Sequence, residues 1–373
     1  MRGKVLVACG VALATPALPQ SVTILHDFSG NGSLDNSGVN GISHGVQVGG
    51  YAEYVDPWTF TGGPVMWSGS AKSRVSLYPK GYDRAVVLGT NQGKHVGNVS
   101  LPGSPSRRAT LWTGNGTEIL DLHVASLGAY EFQSTFAEAI WGDGQVGYGE
   151  TVGGQNRAIM WNGTSASAEL LHPDHLGLST SEAVATDGSQ QVGSGRITNL
   201  RALLWSGTAA SAVDLTPANA TSANANGVAG GYQVGVARIG GINRAAVWSG
   251  TAASFIDLHP EGASASKIVA TNGTWHVGSV TRNEDGLDFE HAVAWHSTTL
   301  EMFDLHTLLP EPYQMFPSWA TSIDELGNIG GVFNSVGTSV YNSRAVIWTV
   351  PEPSTFIALG VGAIALLLSR RRR

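Results

Sequence analysis

The sequence predicts an all-β protein: a seven-bladed β-propeller of four-stranded blades, followed by a C-terminal transmembrane helix. Three observations predict it. A tryptophan-centred motif recurs seven times, 49 glycines fall between short β-like runs without a collagen period, and a charge-free apolar stretch meets four arginines at the C-terminus. Repetition at such a period marks a repeat architecture, and many short strands with glycine-rich turns mark an all-β one.

The motif has several anchors. Trp67, Trp112, Trp161, Trp205, Trp248, Trp295 and Trp348 follow one another at gaps of 45, 49, 44, 43, 47 and 53 residues. Val-Gly or Ile-Gly precedes each of them, from Val48-Gly49 to Ile329-Gly330. Arginine stands four residues before the tryptophan at Arg108, Arg157, Arg201, Arg244 and Arg344; His291 and Gly63 take that place in the sixth and first units. Ten residues after the first six tryptophans comes leucine: Leu77, Leu122, Leu171, Leu215, Leu258 and Leu305. Aspartate precedes it at Asp121, Asp214, Asp257 and Asp304, replaced by Ser76 and Leu170 in the first and third units.

Each unit reads as four strands. The first is small and apolar, as in Ser181 to Ala185, and ends in a turn such as Asp187-Gly188 or Asn272-Gly273, where the chemistry suits positive φ. The second carries Val-Gly and the third ends in tryptophan, as in Arg244 to Trp248. Ser249-Gly250-Thr251 leads to the fourth, Phe255 to Leu258, and a proline such as Pro260 closes the unit because it has no N–H for a ladder. Four antiparallel strands in about 45 residues make a propeller blade. The seventh unit lacks its fourth strand. The run Val22 to Phe28 is expected to supply it, with Asp27-Phe28 matching the Asp-Leu pair, so that the two ends of the domain lock the ring.

The ends read as addresses. Arg2 and Lys4 precede the apolar run Val5 to Ala14, which marks residues 1–20 as a secretory signal peptide. Leu6-Val7-Ala8-Cys9 also has the look of a lipobox. Residues 21–349 form the repeat domain. In residues 350–373, Pro351, Glu352 and Pro353 lead to an uncharged stretch from Phe356 to Leu368 and then to Arg370, Arg371, Arg372 and Arg373. A helix from Thr355 to Ser369 would span roughly 22 Å at about 1.5 Å per residue, short of the ~30 Å hydrocarbon core, so the arginines would snorkel. The positive-inside rule places them in the cytoplasm as an anchor and exports what precedes.

The order of Pro-Glu-Pro, one apolar helix and an arginine tail resembles the PEP-CTERM protein-sorting signal. The resemblance implies an exosortase-type processing enzyme as partner, transient anchoring in the inner membrane, and a destination at the cell surface or beyond it. The repeat resembles the HAF family of extracellular repeats, in which Val-Gly, an aromatic-Trp segment and an Asp-Leu pair recur; here Arg-Ala stands where that family has Ala-Phe.

Charge narrows the partners. Taking Arg2, Lys4 and Arg370 to Arg373 from 21 basic residues, and Glu352 from 28 acidic ones, leaves the exported body near −12. Nucleic acid is therefore not expected, since it needs a basic patch. Cys9 is the only cysteine, so no disulfide is possible and packing must stabilise the fold.

Candidate chemistry is sparse. His123, His172, His259 and His306 follow the repeated leucine, and His172 and His175 lie close in sequence. A metal site is one reading, but residues at equivalent places in different blades would lie far apart, and a strand-end consensus is the other. The repeated arginine reads either as a polyanion surface or as an ion pair with the repeated aspartate. No catalytic residue, metal site or cofactor is assigned. The expected function is a structural or binding role in the envelope or extracellular matrix, without enzymatic activity, with exopolysaccharide as a candidate partner. The alternative is a polysaccharide lyase or hydrolase with its site in the central channel. Carboxylates in that channel would favour the enzyme; Gly, Ala and Ser would favour binding.

Overall fold

The structure is a computed structural model that describes residues 21–26, 35–56, 59–114, 116, 118–284, 286–335 and 342–349. Seven antiparallel sheets make seven blades. Six have four strands, and the third has five because a two-residue strand, Ser126–Leu127, adds to its inner edge. The first long strand of each blade contacts its counterparts in the neighbouring blades, and that of the first blade meets that of the seventh. These innermost strands are Asn36–Ser43, Arg84–Asn91, Tyr130–Trp141, Thr180–Thr186, Ser222–Ala229, Ala265–Thr271 and Ser318–Ile323 in blades one to seven.

The ring closes as expected, but in a different register. Ser21–Ile24 pairs antiparallel with Ser343–Thr349, with Val22 opposite Trp348 and Ile24 opposite Val346. Leu25 N–H then donates to Ala345 C=O at 2.8 Å, as Leu77, Leu122, Leu171, Leu215 and Leu258 do to the residue three before their own tryptophan. Leu25 thus fills the leucine place expected of Phe28, and Ile24 stands where aspartate was expected. Asp27 and Phe28 lie outside the described residues. Leu25 is 1% exposed and packs with Val39, Val65, Trp67, Ala345 and Ile347, so it joins blade seven to blade one.

The repeated residues form the inter-blade core. All seven tryptophans are at most 1% exposed. Trp112 Nε1–H donates to Leu77 C=O at 2.9 Å and Trp205 Nε1–H to Leu171 C=O at 2.8 Å, each reaching the preceding blade. In these two blades the ring is buried with its one donor satisfied, whereas the Nε1 of Trp67, Trp161, Trp248 and Trp348 is buried without a protein partner, so there the apolar area removed from water must outweigh the lost hydration.

Val-Gly has a backbone cause. Every innermost strand has a register shift at the same place, between Ala183 and Ala185 in blade four and between Ile268 and Ala270 in blade six. The bulge pushes a carbonyl over the facing strand. A Cβ on Gly193 would lie 1.9 Å from Glu182 O, and one on Gly278 would lie 2.0 Å from Lys267 O. Only glycine can stand there. The glycine-rich turn after the tryptophan also holds a short 3-10 turn that the sequence did not reveal, at Ala71–Ser73, Ser165–Ser167, Ala209–Ser211 and Ala252–Ser254. It leaves the outermost strand only two residues, as in Ile256–Asp257.

Candidate functional site

The repeated polar residues face one another across blade boundaries. His172 Nδ1 meets Ser181 Oγ of the next blade at 2.8 Å, and that oxygen accepts Ala158 N–H at 3.0 Å. His259 with Ser266, His306 with Ser318, His123 with Thr135 and His26 with Ser37 repeat the contact at 2.8 to 2.9 Å. Burial lowers the His172 pKa to about 4 and also lowers those of His123, His259 and His306, so these rings stay neutral and serve as hydrogen-bonding groups. His175 is exposed while His172 is buried, and among the described residues no group of three or more His, Cys, Asp or Glu could hold a metal ion.

The arginines pair with the aspartates. Arg108 Nε–H donates to Asp121 at 2.9 Å, Arg244 to Asp257 at 2.9 Å, and Arg201 lies 3.8 Å from Asp214. In blade six His291 Nδ1 takes the same place, 2.9 Å from Asp304. Where leucine replaces aspartate, Arg157 turns instead to the carbonyls of Ser179 and Asn156 and lies over the Tyr130 ring at 4.6 Å. The Arg–Asp pairs join the third and fourth strands of one blade, Arg157 reaches toward the next, and these arginines do not form a free basic face.

One mouth of the channel is a recess of about 200 Å³ lined by all seven innermost strands, chiefly by small or uncharged residues such as Ser43, Thr90, Ala139, Ala185, Gly227 and Ala270. Two carboxylates stand on neighbouring innermost strands, Glu138 in blade three and Glu182 in blade four. Burial raises the Glu138 pKa to about 7, with Glu182 of the next blade adding to the rise. Burial, then Glu138, Glu182 and Glu150, raises that of Tyr148. Asn156 Nδ2–H donates to Glu182 at 2.6 Å, and Lys267 pairs with Glu290 at 2.8 Å.

A second recess comes from departures in blade one. Strand pairing puts Gly38 opposite Gly50, and Gly50 opposite Pro64. The same row is Phe136, Tyr148 and Ala158 in blade three, and Glu182, Ser194 and Ala202 in blade four. The preceding residue on the same strand is Gly63, where five other blades carry arginine and blade six carries His291; a Cβ there would lie 2.4 Å from the Tyr78 ring. With no side chain at Gly38 or Gly50, a cleft of about 460 Å³ opens between blades seven, one and two. Asn36, Asn40, Tyr51, Val86 and Val332 line it, and none of its lining residues is Asp, Glu, Lys, Arg or His. The sequence showed glycines at 38, 50 and 63, but not that pairing gathers them.

The residues assigned to sorting, Pro351, Glu352, Pro353 and Arg370 to Arg373, lie outside the described residues. So do the expected signal peptide and the 356–368 apolar stretch. No helix among the described residues is long and apolar enough to cross a membrane.

Residues 349–373 match the PEP-CTERM protein-sorting motif. That motif implies export toward the cell surface and processing by an exosortase. No curated protein matches the sequence. Among solved structures, the chain is similar to the β-propeller domain of the Trilobed protease from Pyrococcus furiosus at 8% identity and TM-score 0.55, covering 86% of this chain and 97% of that one. That propeller is described as having an open velcro topology, whereas here Ser21–Ile24 pairs across the closure. The oligogalacturonate lyase from Vibrio parahaemolyticus is 11% identical at TM-score 0.50, covering 89% and 94% of the two chains. The acylaminoacyl peptidase from Pyrococcus horikoshii is 10% identical at TM-score 0.51, over 87% of this chain and 54% of that enzyme, so this chain spans about half its length. At such identities the likeness is one of fold.

Proposed function

We propose that this chain is a surface-sorted propeller with a structural or binding role in the cell envelope or extracellular matrix, that it is not an enzyme, and that its partner is exopolysaccharide. The PEP-CTERM match at residues 349–373 carries the reading, because it directs a rigid ring to the place where such polymers lie. In this reading residues 1–20 direct export and residues 21–349 form the ring. The 356–368 stretch holds the chain briefly in the inner membrane, with Arg370 to Arg373 in the cytoplasm. An exosortase-type enzyme then cuts near Pro351-Glu352-Pro353. The likeness of the repeat to HAF extracellular repeats agrees with that destination. The channel mouth, lined by Glu325 and otherwise by uncharged and mostly small residues, supports binding over chemistry. The test is retention of the purified protein on the host's matrix polysaccharide, with mass spectrometry of its C-terminus. Failure to bind any matrix polymer would refute the binding role, and Arg373 in the mature product would refute processing.

One observation favours a second reading, a polysaccharide hydrolase or lyase acting in the channel. Burial, with the Glu182 carboxylate of the next blade adding to it, raises the Glu138 pKa to about 7, the direction that suits a carboxyl group acting as a general acid. Release of reducing ends or unsaturated sugars from the matrix polymer, abolished in Glu138→Gln and Glu182→Gln, would establish it.

A further inference from the structure

We propose that the blade-one cleft is a binding site for a neutral glycosyl unit of a polysaccharide; this rests on the binding reading above and names the chemistry its ligand must have. The cleft exists because one blade abandons the side chains its siblings carry. Gly38, Gly50 and Pro64 form one row across three strands, and Gly63 precedes Pro64 on its strand. Packing does not forbid a side chain at Gly50: a Cβ there meets nothing within 4 Å, unlike the glycines under the bulges. The blade is left open where it could have been filled. At about 460 Å³ the cleft lies within the roughly 300–1,000 Å³ range of small-molecule sites.

Its lining selects the ligand. With no Asp, Glu, Lys, Arg or His in the wall, an ionised ligand would lose water and gain no counter-charge. A body near −12 adds repulsion against acidic polymers. Yet the walls are not purely apolar. Asn36 uses its Oδ1 to accept Ser343 N–H at 3.3 Å, and Asn40 uses its Nδ2 to donate to Val87 C=O at 2.8 Å. One amide donor on Asn36 and one amide acceptor on Asn40 remain. Pro64, Val86 and Val332 supply apolar surface. Tyr51 is held in place by the Arg74 guanidinium 3.4 Å above its ring and by His26 stacked 5.8 Å away. An uncharged group that presents C–H faces and both donates and accepts hydrogen bonds fits these walls, and a pyranose ring is such a group.

The experiment uses the full chain in mild detergent and the variant Gly50→Tyr, which places in blade one the residue that blade three carries as Tyr148. Calorimetry against neutral gluco-, galacto- and manno-oligosaccharides should show binding by the parent that falls at least tenfold in Gly50→Tyr at unchanged melting temperature, with no binding of uronate oligosaccharides. If Gly50→Tyr does not fold, Gly50→Ser, the residue of blades four and six, decides by a smaller loss. Neutral oligosaccharide binding that neither variant weakens would overturn the cleft as the site while leaving the binding role standing. Preference for uronates that Gly50→Tyr abolishes would overturn the neutral class. No binding to any oligosaccharide, with matrix polysaccharide still retained, would overturn the glycosyl assignment; loss of both would remove the reading beneath it.

Discussion

Blades one and three share the tryptophan, the Val-Gly step and the leucine, yet differ in the row beside the channel. In blade three Phe136 and Tyr148 stack at 4.7 Å and fill it; in blade one Gly38 and Gly50 leave it open. Both blades seat equally well in the ring. Ring stability therefore depends on the repeated positions, and the unrepeated row is free to carry recognition. The first way to break this division is at the closure, where one short strand supplies the outermost strand and the buried leucine of blade seven. Deleting Ser21–His26 removes the four-residue ladder and buried Leu25. The melting temperature should fall by at least roughly 10 °C, since several kcal/mol are lost at once. An unchanged thermal scan would show that the ring does not need its clasp.

A sharper contrast uses two tryptophans. Trp205 is fully buried with its indole N–H bonded to Leu171, whereas Trp141, outside the repeat, is 47% exposed at the channel mouth. Trp205→Ala should cost about 3–5 kcal/mol in denaturant unfolding. Trp141→Ala should stay within about 1 kcal/mol. Equal losses would refute the division between repeated and unrepeated residues.

The channel row offers a third test, through pH. Asn40, Asn226 and Thr321 each donate to a carbonyl of the next blade's innermost strand. Glu138 occupies the same place after the bulge in blade three, and only its protonated carboxyl could donate likewise. Its proton leaves near 4.5 in the unfolded chain but near 7 in the fold. The stability it contributes is thus fully present below about pH 4.5 and is lost as pH rises through 7. That span corresponds to on the order of 3 kcal/mol. Buried His95, His172 and His276, lowered to about 4, act the opposite way: their contribution is lost as pH falls from 6.5 toward 4. The Glu138 effect is therefore read as a difference. The stability of the parent relative to Glu138→Gln should decline between pH 4.5 and 7, and a flat difference would show that Glu138 ionises normally.

What the sequence revealed, and what it hid, follows the same line. Every blade must plug the same gap against its neighbour, so Trp205 and Leu215 recur at fixed spacing and disclose the ring. The closing strand was visible because blade seven lacked one. Its register was not, because residue type favoured Asp27-Phe28 while the ladder to Ala345 places Leu25 in the slot. The bulges left only an indirect trace, the glycine of Val-Gly, since a displaced carbonyl has no side-chain signature. The cleft left none: Gly38, Gly50 and Pro64 are distant in sequence, and only pairing makes them neighbours.

The smallest expected effect tests whether the repeated ion pairs belong to the stabilising set at all. Arg244 and Asp257 lie 2.9 Å apart, and each side chain is about one-third exposed, so solvent screens much of their attraction. Asp257 also accepts His259 N–H at 2.9 Å, which fixes the start of the connection to the next blade. Asp257→Ala should therefore cost somewhat more than Arg244→Ala, because it removes two partners. The double-mutant cycle should give a coupling of about 0.3–1 kcal/mol that shrinks as salt is raised. Zero coupling at low salt would mean that Arg244 acts through its aliphatic stem alone, covering apolar surface, and that the recurrence of arginine before the tryptophan reflects packing rather than charge.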